Sequence, residues 1–319
     1  MLKITICGNY PKIDSEKTPV NIRSAINRME KGKITQEEYM EVLNKTIERT
    51  IDDQVEAGVS LITDGQITWT DLTSPFCEAL SGVESGGLRR FFDNNIYYRR
   101  PQITGAIKRT KSIVVDDMLA VKKQSSKPVK AVLCGPVTFM LLSDDHYYHD
   151  TEKFVWDISQ VIRQEIIELQ KQGIEYVQLD EPALPENPDY IPLAINAFKE
   201  ICEGTTIKTG ISFYFNAIKS IMPYLNDFPV DFFAIDCVSH PDEIDFMPRL
   251  TGKELHAGLI DARSVRLEDM ALVLSRIDQL KEQVQPDEIY LTTSCGLEFL
   301  PRNYAVSKMS HMAGIAEKV

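Results

Sequence analysis

The chain has 319 residues, 43% hydrophobic and 26% charged, an ordinary globular composition that excludes bulk disorder. A net charge of −12 without a basic run excludes the electrostatic footprint of a nucleic-acid binder. No apolar stretch approaches the roughly 20 residues that span a bilayer, so no membrane partner is expected either.

The opening Met1-Leu2-Lys3-Ile4-Thr5-Ile6-Cys7 is too short and too polar nearby for a signal peptide, so a cytoplasmic enzyme is expected. Lys3–Cys7 reads as a strand that runs into Gly8-Asn9-Tyr10-Pro11, the start of a polar excursion over residues 9–36. Glu37–Ala57 places Tyr39, Val42, Leu43, Ile47, Ile51 and Val55 at helical spacing, and Gly58 follows as a stop signal. A second strand, Ser60–Thr63, leads into Asp64-Gly65-Gln66. Residues 67–127 break the rhythm. Tyr97, Tyr98 and the strand-like Gln102–Ile107 predict a hairpin there, in an insertion covering the strands' C-terminal ends. Val129–Cys134 and Tyr176–Asp180 are further strands, separated by a helix over Glu152–Gln172 that stops at Gly173. Ile207–Ser212, Asp231–Asp236, Leu255–Asp261 and Glu288–Thr293 complete the strands, with a helix over Leu267–Val284.

Near-continuous apolar strands suit a parallel sheet buried on both faces. Strands alternating with helices over this length predict one (β/α)8 TIM barrel, residues 1–319 forming a single domain. The six cysteines are scattered without a CxxC, consistent with reduced thiols. A barrel gathers its strand C-termini around one mouth. Asp180, Asp236, Asp261 and Cys295 would then converge there, although an Asp at such a position also serves as a helix N-cap.

Several segments resemble the catalytic domain of cobalamin-independent methionine synthases. They are Ile62-Thr63-Asp64-Gly65-Gln66, Arg100–Gly105, Lys127–Thr138, Val177–Leu184 with its Asp180-Glu181-Pro182-Ala183-Leu184 core, Gly258-Leu259-Ile260-Asp261 and Ser294-Cys295-Gly296-Leu297. Their order holds from about residue 4 to residue 310. The resemblance implies a (β/α)8 barrel of the short core form, methyl transfer to a thiol such as homocysteine, and a zinc ion that binds the sulfur as thiolate. It also implies a donor other than a polyglutamylated methyl-folate bound by a second barrel, such as a methyl-corrinoid protein.

The family's zinc is held by a His and a Cys on one strand, a Glu on the next and a Cys on the last. Here those positions carry Gly210, Ser212, Asp236 and Cys295. Gly has no side chain and a Ser hydroxyl is a poor zinc ligand. Three readings stay open: zinc is lost, a substrate or partner supplies ligands, or a rearranged set uses Asp236, Cys237, His240 and Cys295. Against the last, adjacent strand residues point to opposite faces.

The resemblance assigns the substrate's ammonium group to Asp180 and to the position of Gln66, where the family has Glu. Asn9 replaces a Ser. Losing one negative charge favours a less cationic substrate. Arg263 replaces a proton-shuttling His and, as a permanent cation, suits holding a carboxylate or phosphate rather than moving protons. Glu181 beside Asp180 is either an acid/base partner or a hydrogen-bonded brace. Trp69, Tyr97 and Tyr98 either form an aromatic lid or pack the insertion. Two other functions stay open: a zinc-free lyase of the same superfamily, against which Lys12 stands where Arg would be expected, and a non-catalytic small-molecule-binding protein.

Overall fold

The computed structural model describes residues 2–12 and 22–319; residues 13–21 of the predicted polar excursion lie outside it. In chain order the elements are β1 (Lys3–Ile4), α1 (Ile22–Glu30), α2 (Gln36–Glu56), α3 (Ser74–Ala79), β2 (Leu80–Arg90), β3 (Tyr97–Arg109), α4 (Val115–Gln124), β4 (Lys130–Cys134) and α5 (Pro136–Leu142). They continue with β5 (Asp144–Asp145), α6 (Thr151–Lys171), β6 (Tyr176–Asp180), α7 (Ile191–Cys202), β7 (Lys208–Phe213), β8 (Phe232–Asp236), β9 (Glu254–Ile260), α8 (Met270–Gln283), β10 (Glu288–Thr293) and α9 (Arg302–Ala316). Among the described residues no helix is long and apolar enough to cross a membrane.

Seven strands form one parallel sheet in the order β1-β10-β9-β8-β7-β6-β4. Its two edges face the predicted strand Ser60–Thr63, which pairs by single parallel bridges, Thr5 to Leu61 and Ile62 to Val129. The reason it forms no full ladder is local. Thr63 gives its N–H to Gln54 Oε1 and its carbonyl accepts from Gln54 Nε2, both at 2.9 Å, so a side-chain amide of α2 occupies the groups a neighbouring strand would use. The expectation of a (β/α)8 barrel is met in part: an α/β fold with a curled parallel sheet.

The helices begin and end where their sequences dictate. Thr35 and Glu38 form a reciprocal capping box at the start of α2, at 3.2 and 2.8 Å. Asp150 caps α6 by accepting from Lys153 N at 3.0 Å. Gly58 and Gly173, just beyond these two helices, have φ of +82° and +71°, where other residues are strained.

β2 and β3 form the antiparallel hairpin, and β5 adds to β3 in parallel. One carboxylate anchors its return arm. Glu165 of α6, fully buried, accepts from the N–H groups of Ile113, Val114 and Val115 at 2.8, 2.7 and 3.1 Å, and from Arg109 Nε at 2.6 Å. Opposite, the hairpin tip packs onto the sheet's C-terminal end through Phe91 and Phe92, whose rings meet Phe215 at 6.2 and 5.8 Å.

The interior of the curled sheet is filled from below. The Phe232 ring stacks on His256 at 4.3 Å, and His256 meets Tyr290 at 4.4 Å. Above them Lys130 Nζ donates to Gln178 Oε1 and the Ile6 carbonyl, at 2.7 and 2.9 Å. Beyond this layer, past the strands' C-terminal ends, space remains.

Candidate active site

A cavity of about 480 Å³ opens there, within the range of small-molecule sites. Its polar wall includes Cys7, Asn9, Lys12, Gln66, Asp180 and Glu298. Its apolar wall comes from Leu72, the hairpin residues Phe91 and Ile96, and the loop residues Phe215 and Phe299.

Asp180, the last residue of β6, is buried. Its Oδ1 accepts from Gln178 Nε2 at 2.7 Å and its Oδ2 from the Tyr214 hydroxyl at 3.2 Å. Burial outweighs those bonds and the nearby Lys130 charge, pushing its carboxyl up to about 7. Gln66 is 1% exposed and its φ is +52°, a conformation seldom adopted without a structural requirement. Neither its Oε1 nor its Nε2 has a hydrogen-bond partner within the protein. The Cys7 thiol lies 3.6 Å from Ser212 Oγ, and burial pushes it up to about 12, so it is a neutral thiol near pH 7.

Several cavity groups escaped the sequence reading as site residues, Cys7 among them. Burial brings Lys12 down to about 8, and its ammonium donates to the Trp69 carbonyl. Glu298 is pushed up to about 7, first by burial. Tyr214 was also missed, although strand alternation sets it on the same face as Ser212.

Other predicted residues lie elsewhere. Glu181 accepts from Val137 N and Thr138 N at 2.9 and 2.7 Å, capping the start of α5 beneath Gly135 rather than lining the cavity. Substituting Glu181 with Gln leaves one of these amides facing an NH₂ group. We expect a loss of about 1–3 kcal/mol, read as a lower thermal midpoint, with ligand affinity unchanged. For the predicted lid, Trp69 is buried, Tyr97 is exposed and the Tyr98 hydroxyl donates to the Leu142 carbonyl at 3.0 Å. The cover is made by Phe91, Phe215 and Phe299 instead.

Asp236 spends its whole carboxylate on the loops after β7 and β8. Oδ1 accepts from Val238 N and Ser239 N at 2.9 and 3.0 Å, and Oδ2 from Ser239 Oγ and Phe215 N at 2.5 and 3.2 Å. Arg263 donates to the same Ser239 hydroxyl at 2.7 Å and its guanidinium lies 5.7 Å from the Phe215 ring centroid, so it braces the cavity's rim. Phe215, with φ of +73°, is held by both. Asp261 turns its own loop by accepting from Arg263 N at 2.8 Å.

The family described as cobalamin-independent synthase, catalytic domain, matches residues 2–318. The chain belongs to this family. It is 28% identical over 321 residues to the methionine synthase of Pyrococcus horikoshii, covering 100% of this chain and 93% of that protein. In fold it is similar to a B12-independent methionine synthase from Shewanella sp. W3-18-1 in complex with selenomethionine, with a TM-score of 0.84 at 24% identity over 100% of this chain and 97% of that one. It is also similar to a putative vitamin-B12 independent methionine synthase from Listeria monocytogenes, with a TM-score of 0.77 at 19% identity over 100% and 98% of the two chains.

The donors in this member of the synthase family do not compose the four-ligand zinc set that the resemblance implies. A Cβ on Gly210 would collide with the Phe232 ring, so the space for a side chain there is taken. The Ser212 hydroxyl faces the Cys7 thiol, and the Asp236 carboxylate is bonded to its loop. Cys295 is buried; burial pushes its thiol well up, with Glu298, Cys7 and Asp236 adding and Arg263 opposing. The rearranged set fares no better. Cys237 Sγ turns into the hydrophobic core and donates to the Ile235 carbonyl at 3.5 Å, and His240 is half-buried in the next loop. Among the described residues no group of three or more His, Cys, Asp or Glu stands close enough to hold a metal ion.

Proposed function

We propose that this chain transfers a methyl group to the sulfur of a small amino-acid acceptor such as homocysteine, working as a (β/α)8 barrel with its reaction at the mouth. The family match over residues 2–318, joined to a cavity with Asp180 at its floor, carries this reading. Asp180 takes the acceptor's ammonium group with the help of Gln66. The acceptor's carbon chain lies against Phe91, Ile96, Phe215 and Phe299, which keep water from the sulfur. When bound, zinc would supply a thiolate by ligating the sulfur, but the donors present do not fit it. Lys12, the one Lys or Arg lining the cavity among the described residues, offers positive charge instead, and a facing cation favours thiolate over thiol.

The test is methionine formation from L-homocysteine, followed by mass spectrometry, with a methylated pteroyl-glutamate or a methyl-corrinoid protein as donor and zinc measured on the same preparation. We expect methionine with at least one donor and zinc well below one ion per chain. Full zinc occupancy that disappears in Cys295→Ala would overturn the metal-poor site. Methionine binding without turnover on either donor would favour a binding protein, a reading that Phe232 filling the space beside Gly210 supports.

A further inference from the structure

One cavity group has no part in the site as the family resemblance lays it out. Glu298 follows the Cys295-Gly296 turn, in the short helical segment Leu297–Phe299 after β10. Leu297 is fully buried and its N–H donates to the Asn9 carbonyl at 2.8 Å, which fixes this segment against the loop after β1. The Glu298 side chain then folds back over Gly296. A Cβ on Gly296 would collide with Glu298 Oε2 and stand 2.7 Å from Asn9 Cβ, so the glycine is what makes room for the carboxylate. As a residue Glu298 is half-buried, but its Oε2 is buried and has no hydrogen-bond partner within the protein. It forms no ion pair among the described residues.

Four features of the cavity bear on that oxygen. Lys12, its ammonium turned to the Trp69 carbonyl, partly offsets the charge of Glu298, and Asp180 lies near enough for the two carboxylates to repel each other. Gln66, on the same cavity, is buried with both amide heteroatoms unpartnered. Asp71, a third carboxylate on the cavity, is taken up by the N–H groups of Thr73, Ser74 and Arg99, and much of the other wall is apolar and aromatic. An unpaired carboxylate oxygen sealed from water costs free energy unless something pairs with it. Two carboxylates against the single Lys12 ammonium, which forms an ion pair with neither among the described residues, leave one negative charge for a ligand cation, and Gln66 Oε1 adds a neutral acceptor. A compact organic cation with N–H donors satisfies all three, whereas an anion or a neutral apolar molecule satisfies neither carboxylate.

We infer that Glu298 is a substrate-recognition residue, the second carboxylate, with Asp180, of a site for a protonated primary amine. It makes good the negative charge absent at Gln66, so the substrate is a cationic or zwitterionic amine rather than the less cationic molecule expected from the sequence. This rests on the cavity being the amino-acid site proposed above.

The experiment is isothermal titration calorimetry of the full chain with three probes: L-methionine, 4-(methylthio)butanoate, which lacks the amine, and 3-(methylthio)propylamine, which lacks the carboxylate. The wild-type protein is expected to bind L-methionine and the amine, and the butanoate at least tenfold more weakly. Glu298→Gln keeps the side chain's size and removes its charge. It is expected to weaken L-methionine and the amine at least tenfold while leaving the butanoate unchanged. Equal binding of L-methionine by wild type and Glu298→Gln overturns the role of Glu298 and leaves the methyl-transfer reading standing. Failure of the wild-type protein to bind any of the three overturns both. Should Glu298→Gln not fold, Glu298→Ala is read in the same way, and a butanoate that binds the wild-type protein as tightly as L-methionine overturns the amine site by itself.

Discussion

Substituting Asp180 with Ala is expected to weaken binding of L-homocysteine and L-methionine on the order of 100-fold, from the loss of a charge-assisted contact to an ammonium group. The residue sits at the end of β6 with both oxygens already placed by Gln178 and Tyr214. A ligand ammonium therefore meets a carboxylate that needs no reorganisation. Ala also strips those two donors of their partner and costs stability, so Asp180→Asn is the cleaner comparison. The pH dependence separates charge from shape. Burial holds Asp180 up to about 7, and only its ionised form attracts an ammonium group. Wild-type affinity should accordingly be full above pH 7 and fall as the pH drops through that value. In Asp180→Asn the affinity should be low throughout and the fall shallower, because one of the carboxylates titrating in this range is gone. Calorimetric titrations between pH 5.5 and 8.5, a window of roughly 1.5 units either side of that value, read this directly. An Asn variant that binds like wild type would remove Asp180 from the amine site.

Installing His at position 210 is expected to destabilise the protein without creating a metal site. The imidazole would have to enter the space of the Phe232 ring, which is locked between Tyr176 and His256 at centroid separations of 5.9 and 4.3 Å. Overpacking of this kind costs about 1–3 kcal/mol or more, and thermal unfolding should show a clearly lowered midpoint. Gly210→His combined with Phe232→Ala should recover part of the lost stability, since the collision is with that one ring. Zinc affinity should rise only when Ser212→Cys is added as well. If Gly210→His alone folds normally and takes up a stoichiometric metal ion, Phe232 does not block the position and the misfit argument fails.

The parallel strands were legible because residues buried on both faces leave continuous apolar runs. Val129–Cys134 was expected and β4 is Lys130–Cys134. The strand Ser60–Thr63 was legible as an apolar run but not as a set of single bridges, since nothing in its own sequence says that Gln54, on α2, takes the Thr63 backbone groups. Helix α9 went unread for a related reason. Lys308 occupies a core position on it, paired with Glu268 and the Arg266 carbonyl, and so interrupts the apolar spacing that marks a buried face. At the site, Asn9, Gln66 and Asp180 were legible because strand ends of a curled parallel sheet share one mouth. What could not be read was which way a side chain turns after the strand stops. Glu298 enters the cavity because Gly296 leaves it room, and Asp236 leaves its expected task because Ser239 and three backbone amides take its oxygens.

The Gln54 clasp fastens one side of the cavity differently from the other. Gln66 stands at the end of the stave that carries only isolated bridges, whereas Asp180 and Phe215 follow uninterrupted ladders. The vessel therefore has one seam fastened partly by a side chain and one wall woven from backbone. A change at position 54 therefore reaches the seat of Gln66 and leaves that of Asp180 alone, so the two sides of the cup answer to different parts of the chain.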